Sequence, residues 1–193
     1  MRWLPWLLVP LLSSCSAFSP STRTPVPSIA DSLEDGDLVF LDLDCGGACD
    51  AIEDVTLSQL KVSSPRLSHV GAVLKEAQGT VIVEAWPDRG VRKTALSEVL
   101  ARVKAGENSP SGFYVGRFRD EYRASAISAL HSMLSHLGKG YDDAFLMDKE
   151  RFYCSELISE GFGADGRVFF SPVPMQFGEA GSPAQRYWDN YYR

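Results

Sequence analysis

The chain has 193 residues and a formal net charge of −6, with 25 acidic side chains against 19 basic ones. This acidic balance, without a long like-charge block, argues against a nucleic-acid partner, for which a basic face is expected. Behind its N-terminal segments the chain holds one domain's worth of sequence by the usual span of ~100–200 residues, and no internal repeat subdivides it.

The chain opens MRWLPWLLVPLLSSC: one Arg, an apolar run over 3–12, then small residues before Cys15. The run falls short of the ~20 apolar residues a membrane span needs and suits the core of a signal peptide. Leu12-Ser13-Ser14-Cys15 resembles a bacterial lipobox, which implies cleavage after residue 14 and lipidation of Cys15; an ordinary signal with an incidental Cys is the alternative. Cleavage removes one charge, Arg2, and leaves −7. Ser16 is not Asp, and the resemblance to Gram-negative lipoproteins then implies the periplasmic side of the outer membrane. Residues 16–28 are rich in Ser, Pro and Thr and read as a tether of ~3 Å per residue. The expected organisation is a signal peptide at 1–14, a lipidated Cys and tether at 15–30, and a folded domain at 31–193.

Within the domain, Asp35-Gly36-Asp37 is a turn signal before a strand at 38–43. Gly46 and Gly47 break that strand, and 49–60 reads as a helix. The run SHVGAVLKEAQGTVIVEAW predicts a hairpin, with strands at 69–75 and 80–85 around Ala77-Gln78-Gly79. A helix is expected at 93–104, with Leu96, Val99, Leu100 and Val103 on one face. A strand follows at 113–118. A long helix at 119–137 carries Ala126, Ile127, Leu130, Leu134 and Leu137 as its stripe and ends at Gly138 and Gly140. Another helix begins at Cys154, with Leu157, Ile158 and Phe162 at helical spacing. The tail reads as extended over FFSPVPMQF, and AQRYWDNYYR as a last strand or irregular segment. Strands and helices mixed without strict alternation define an α+β domain.

A cysteine at a helix N-terminus meets unpaired N–H groups and the positive end of the dipole, which favour its thiolate. Cys154 in RFYCSELI is so placed; a buried inert thiol is the alternative reading. A thiolate nucleophile needs a base and a group to orient that base. Of the three histidines, His131 and His136 fall off the stripe of their helix, where solvent is expected. His69 starts a strand. With Ala77 and Gln78 as the two loop residues, Glu84 lies opposite Gly71 and diagonal to His69 on one face, within reach of a hydrogen bond to the ring. A slip of one residue would turn Glu84 to the other face.

GDLVF at 36–40, SHVGAV at 68–73, VIVEA at 81–85, YVGRF at 114–118, GKGYD at 138–142 and YCSELI at 153–158 together resemble the permuted NlpC/P60 papain-like family, the YiiX/YaeF-like amidases. The resemblance covers roughly residues 33–160, and its specificity lies in the ordered set of blocks. It implies a circularly permuted papain-like fold, a small antiparallel barrel-like sheet packed with helices, and the order His69, Glu84, Cys154. The implied roles are nucleophile for Cys154, general base for His69 and orienting acid for Glu84. The N–H of Cys154 would help form an oxyanion hole, Tyr153 would add a phenolic donor or pack as a plain aromatic, and Asp37 would line the cleft or cap its turn.

Cys45 and Cys49, spaced C-G-G-A-C, remain after Cys15 and Cys154 are assigned. An oxidising compartment favours a disulfide; free thiols and a zinc site are the competitors. No cofactor is expected. The expectation is a lipid-anchored envelope hydrolase cleaving a cell-wall peptide amide. A lipid acyl hydrolase or acyltransferase is the first alternative, and a non-catalytic lipoprotein that binds peptide or lipid is the second.

Overall fold

Alternation in LVFL, HVGAVLKE and GTVIVEAW builds the centre of a sheet, and residues distant in sequence complete it. The computed structural model describes residues 28–63, 65–103, 112–164, 166, 168–171 and 173–193. The signal segment, Cys15 and most of the tether lie outside the described residues. The elements are α1 (Ile29–Ser32), β1 (Leu38–Leu41), α2 (Gly47–Leu60), β2 (His69–Glu76), β3 (Gly79–Trp86), β4 (Gly90–Ala95), α3 (Leu96–Arg102), β5 (Phe113–Gly116), α4 (Arg123–Leu134), α5 (Cys154–Gly163) and α6 (Pro183–Tyr191). The strands form one antiparallel sheet in the order β4-β3-β2-β1-β5.

Both faces of the sheet are covered, which is why its central strands are nearly all apolar. Val70, Ala72, Val83 and Ala85 pack against Ala126, Ala129, Leu130 and Met133 of α4 and Leu157, Ile158 and Phe162 of α5. On the other face Val39, Leu41, Val73 and Ile82 pack against Leu33, Cys49, Leu96 and Val99. The β2–β3 pairs run Ala72↔Val83 to Glu76↔Gly79, the register the two-residue loop predicts.

Several local expectations differ. The helix expected at 93–104 begins at Leu96, and Lys93 to Ala95 belong to β4, whose backbone completes the exposed edge of β3. That pairing satisfies backbone groups which a helix started earlier would leave open on β3, and only Gly90, Val91 and Thr94 of the strand are buried, so little apolar alternation marks it. The long helix begins as a 3-10 turn at Asp120–Tyr122, and Leu137 is exposed while Ala129 and Met133 are buried. The tail ends in α6 because Ser182 caps it, accepting from the Gln185 N–H at 3.1 Å, with Pro183 in the first turn. Its Trp188 and Ala184 pack on Ala51 of α2.

Asp37 is held away from the cleft. Fully buried, it accepts from Arg117 Nε at 2.9 Å and Nη2 at 2.7 Å, from Arg123 at 3.2 Å and from the Glu34 N–H at 2.8 Å. Burial opposes its charge, but the two guanidiniums and that N–H outweigh the cost and hold its carboxyl below the usual range. Asp37→Asn is expected to cost about 2–3 kcal/mol in urea unfolding at pH 7, discounted because both arginines are part-exposed. The deficit should shrink as pH falls through the depressed pKa, where the wild-type carboxylate also loses its charge.

Candidate active site

β2 starts at His69 and α5 starts at Cys154, and the two starts meet at one end of the sheet. Tyr153 is extended and the helix begins after it, so the thiol stands at the helix N-terminus. His69 and Cys154 share a hydrogen bond, and the N–H groups of Val70 and Ser155 also donate to the sulfur. His69 Nε2 lies 2.8 Å from Glu84 Oε2, which leaves Nδ1 as the nitrogen facing the thiol. Gly71 makes this diagonal reach feasible, since a Cβ there would meet Ile82 Cγ2 at 2.5 Å and Glu84 Cβ at 3.4 Å.

Glu84 is fully buried, and its second oxygen accepts from Thr94 Oγ1 at 2.5 Å and Arg102 Nη1 at 2.8 Å. The Arg102 guanidinium in turn lies 4.0 Å over the Trp86 ring, and Trp86 meets His69 edge to face at 5.1 Å. Thr94, Arg102 and Trp86 are site residues that the sequence does not single out. Reading β4 as a strand would place Thr94 near Glu84; Arg102 carries no such signal, because an Arg at the end of a short helix looks solvated.

The charges order themselves accordingly. Burial raises the Glu84 carboxyl, but His69, Thr94 and Arg102 outweigh it and bring it down to about 2. Burial disfavours the imidazolium, yet Cys154 and Glu84 raise His69 to about 9. Burial likewise pushes the Cys154 thiol up, and His69 with the two N–H donors holds it below its usual range. A thiolate–imidazolium pair is therefore favoured between the lowered thiol pKa and about pH 9.

The thiol opens into a cavity of about 650 Å³. Apolar side chains dominate its walls, among them Ile52 and Val55 of α2, Trp86, Phe145, Met175 and Trp188. Tyr153 and Tyr141 also line it, whereas Asp37 does not. The Tyr141 hydroxyl is driven above its usual pKa by burial and by the Cys154 charge, so it stays a proton donor. Cys45 and Cys49 form a disulfide at the cavity wall, with Cα atoms 5.4 Å apart. It closes a short ring, so Cys45→Ser with Cys49→Ser should cost no more than about 2 kcal/mol in thermal unfolding under oxidising conditions. His131 is exposed, but His136 is half-buried with its ring 4.6 Å from Phe152.

A half-buried thiol beside a buried imidazole and carboxylate at one end of an antiparallel sheet, in the chain order His, acid, Cys, fits the permuted papain-like class. The chain belongs to the family described as permuted papain-like amidase enzyme, YaeF/YiiX, C92 family, whose model matches residues 32–171. Among solved structures it is similar to yiiX from Escherichia coli O157:H7, which is described as a metalloprotein, at 20% identity and a TM-score of 0.57 over 82% of each chain. No curated protein matches. Among the described residues of this chain no group of three or more His, Cys, Asp or Glu side chains is arranged to hold a metal ion, and His69 and Glu84 are committed to each other.

Proposed function

We propose that this chain is a cysteine hydrolase of the cell envelope that cleaves an acyl bond through a thioester intermediate. The observation that carries the reading is the hydrogen-bonded series Cys154, His69, Glu84 at the wall of the cavity. Cys154 Sγ attacks the carbonyl carbon, and the N–H of Cys154 at the helix start stabilises the oxyanion, with Tyr153 beside it. The tetrahedral adduct collapses, the leaving group takes the proton of the His69 imidazolium, and the acyl group stays on sulfur. His69 then draws a proton from water, which attacks the thioester carbon; the C–S bond breaks, the carboxylic acid leaves, and the thiolate–imidazolium pair is restored. Glu84 holds the imidazole and balances its charge throughout.

A cell-wall peptide amide is the substrate that suits an envelope location, with Cys15 as the lipid anchor and the tether spanning from it. The apolar cavity favours a second reading, a lipid acyl ester or amide whose chain occupies the space between α2, α6 and Trp86. A series of p-nitrophenyl esters of rising acyl length separates them. A rise in kcat/KM from acetyl to octanoyl supports the acyl-chain reading, and a flat series with cleavage of cell-wall peptides supports the first.

The nucleophile itself is tested by the pH dependence of Cys154 alkylation with iodoacetamide. Wild type should react well below the ordinary thiol range near ~8.5, and His69→Ala should slow the reaction at pH ~6.5 by about tenfold or more. A Cys154 that reacts like a free thiol in both proteins would overturn the reading and favour a binding lipoprotein.

A further inference from the structure

Beside the cavity, on the far side of Tyr153 and Ser155, lies a second recess of about 390 Å³. It runs between Leu38 and Phe40 of β1, Val70 of β2, the Ile158 face of α5 and Phe170 of the tail. One acidic side chain lines it: Glu156, two residues after Cys154. Glu156 is only 2% exposed. Its Oε2 accepts a long 3.4 Å bond from the Tyr153 N–H, and its Oε1, buried, has no partner. A buried carboxylate oxygen without a donor is costly and rarely kept without a reason.

The charges acting most strongly on Glu156 are carboxylates, two of which have cations of their own: Asp142 lies 3.8 Å from Arg151, and Glu160 lies 2.9 Å from Lys149. Asp142, Asp148 and Glu160 all act against its charge, and no cation pairs with it among the described residues. Burial first, and those three carboxylates next, raise it to about 7. The walls of the recess are mostly apolar, and its one orphaned acceptor belongs to a residue two positions, just over half a helical turn, beyond Cys154. The large cavity and this recess flank the start of α5 and share Met147, Tyr153, Ser155 and Val173. An acyl group in the first would direct its leaving group toward the second.

We propose that the recess is the leaving-group site and that Glu156 binds a cationic amine there, so that the departing half of the substrate carries an ammonium group on a short apolar stem. Assigning it to the leaving group rests on the reading of Cys154 as nucleophile. The binding of an alkylammonium does not, and it is measured on a protein without the thiol.

The test is calorimetry on the full chain carrying Cys154→Ala, expressed without lipidation, with n-hexylammonium chloride and 1-hexanol as probes at about pH 5.5 and about pH 8. Hexylammonium keeps its charge at both values, since alkylamines titrate near ~10.4. At the higher pH it should bind at least about tenfold tighter than hexanol. At the lower pH, where Glu156 is protonated, that advantage should vanish, while hexanol stays unchanged. Adding Glu156→Gln, which keeps volume and an acceptor for Tyr153, should bring hexylammonium to the hexanol affinity at both pH values. If that double variant melts early, the pH dependence in the Cys154→Ala protein decides alone. Equal binding of the two probes at the higher pH, no binding of hexylammonium, or a preference that survives Glu156→Gln each overturns the proposal. Binding as expected alongside an inert Cys154 in wild type would sink the hydrolase reading and leave the cation site standing.

Discussion

Cys154→Ser is expected to lower kcat/KM for p-nitrophenyl octanoate by about 10³-fold or more, with KM changed little. Serine keeps the volume and the hydrogen bond to His69, but its hydroxyl does not ionise beside an imidazole, so the thiolate–imidazolium ground state is lost. The loss should therefore fall on kcat. Fold is not at stake, because the side chain is half-buried at a helix start rather than filling the core. A serine variant with activity within about tenfold of wild type would mean that the ester is cleaved elsewhere on the chain.

Glu84 separates orientation from charge. Glu84→Gln keeps a side chain of the same shape between His69, Thr94 and Arg102 but removes its charge, and should lower kcat by about 10²–10⁴-fold while moving the Cys154 alkylation profile toward higher pH. Glu84→Ala should do more. It leaves the Arg102 guanidinium and the His69 ring without their buried partner, at a cost of about 3–5 kcal/mol in urea unfolding. The two shifts also set a stability window. Glu84, lowered to about 2, contributes above its unfolded pKa near 4.5, and the contribution is lost as pH falls through about 2. His69, raised to about 9, contributes below its unfolded value of 6.5 and loses it as pH rises through about 9. Wild type minus Glu84→Gln should show its largest stability difference between about pH 4.5 and 6.5; a difference that is flat across about pH 3–9 would mean the pair is not ionised.

What can be read along the chain follows the range of the forces involved. The hairpin and its register are legible because a two-residue loop and period two leave few choices, and so is the diagonal placement of Glu84 next to His69. The helix start at Cys154 is legible from the spacing of Leu157, Ile158 and Phe162. β4 is not, because its strand character comes from the open edge of β3 rather than from its own side chains. Asp37 shows the opposite limit: an Asp after Gly reads as a turn residue or a cleft acid, and only the arrival of Arg117 and Arg123 makes it an ion-pair centre. For α6, Ser182-Pro183 carries a helix-start signal, but the aromatic residues behind it suggest a strand equally well until Trp188 finds its place against α2.

The sequence by itself determined the α+β class, the order of the His, Glu and Cys that meet at the cavity, and the family, because these depend on local periodicity, turn geometry and ordered blocks. Tertiary structure alone decided that Thr94 and Arg102 clamp Glu84, that the space before the thiol is apolar, and that one carboxylate oxygen of Glu156 is buried without a partner. Each of those depends on which distant segments come to lie against one another, and packing settles that only when the whole core closes.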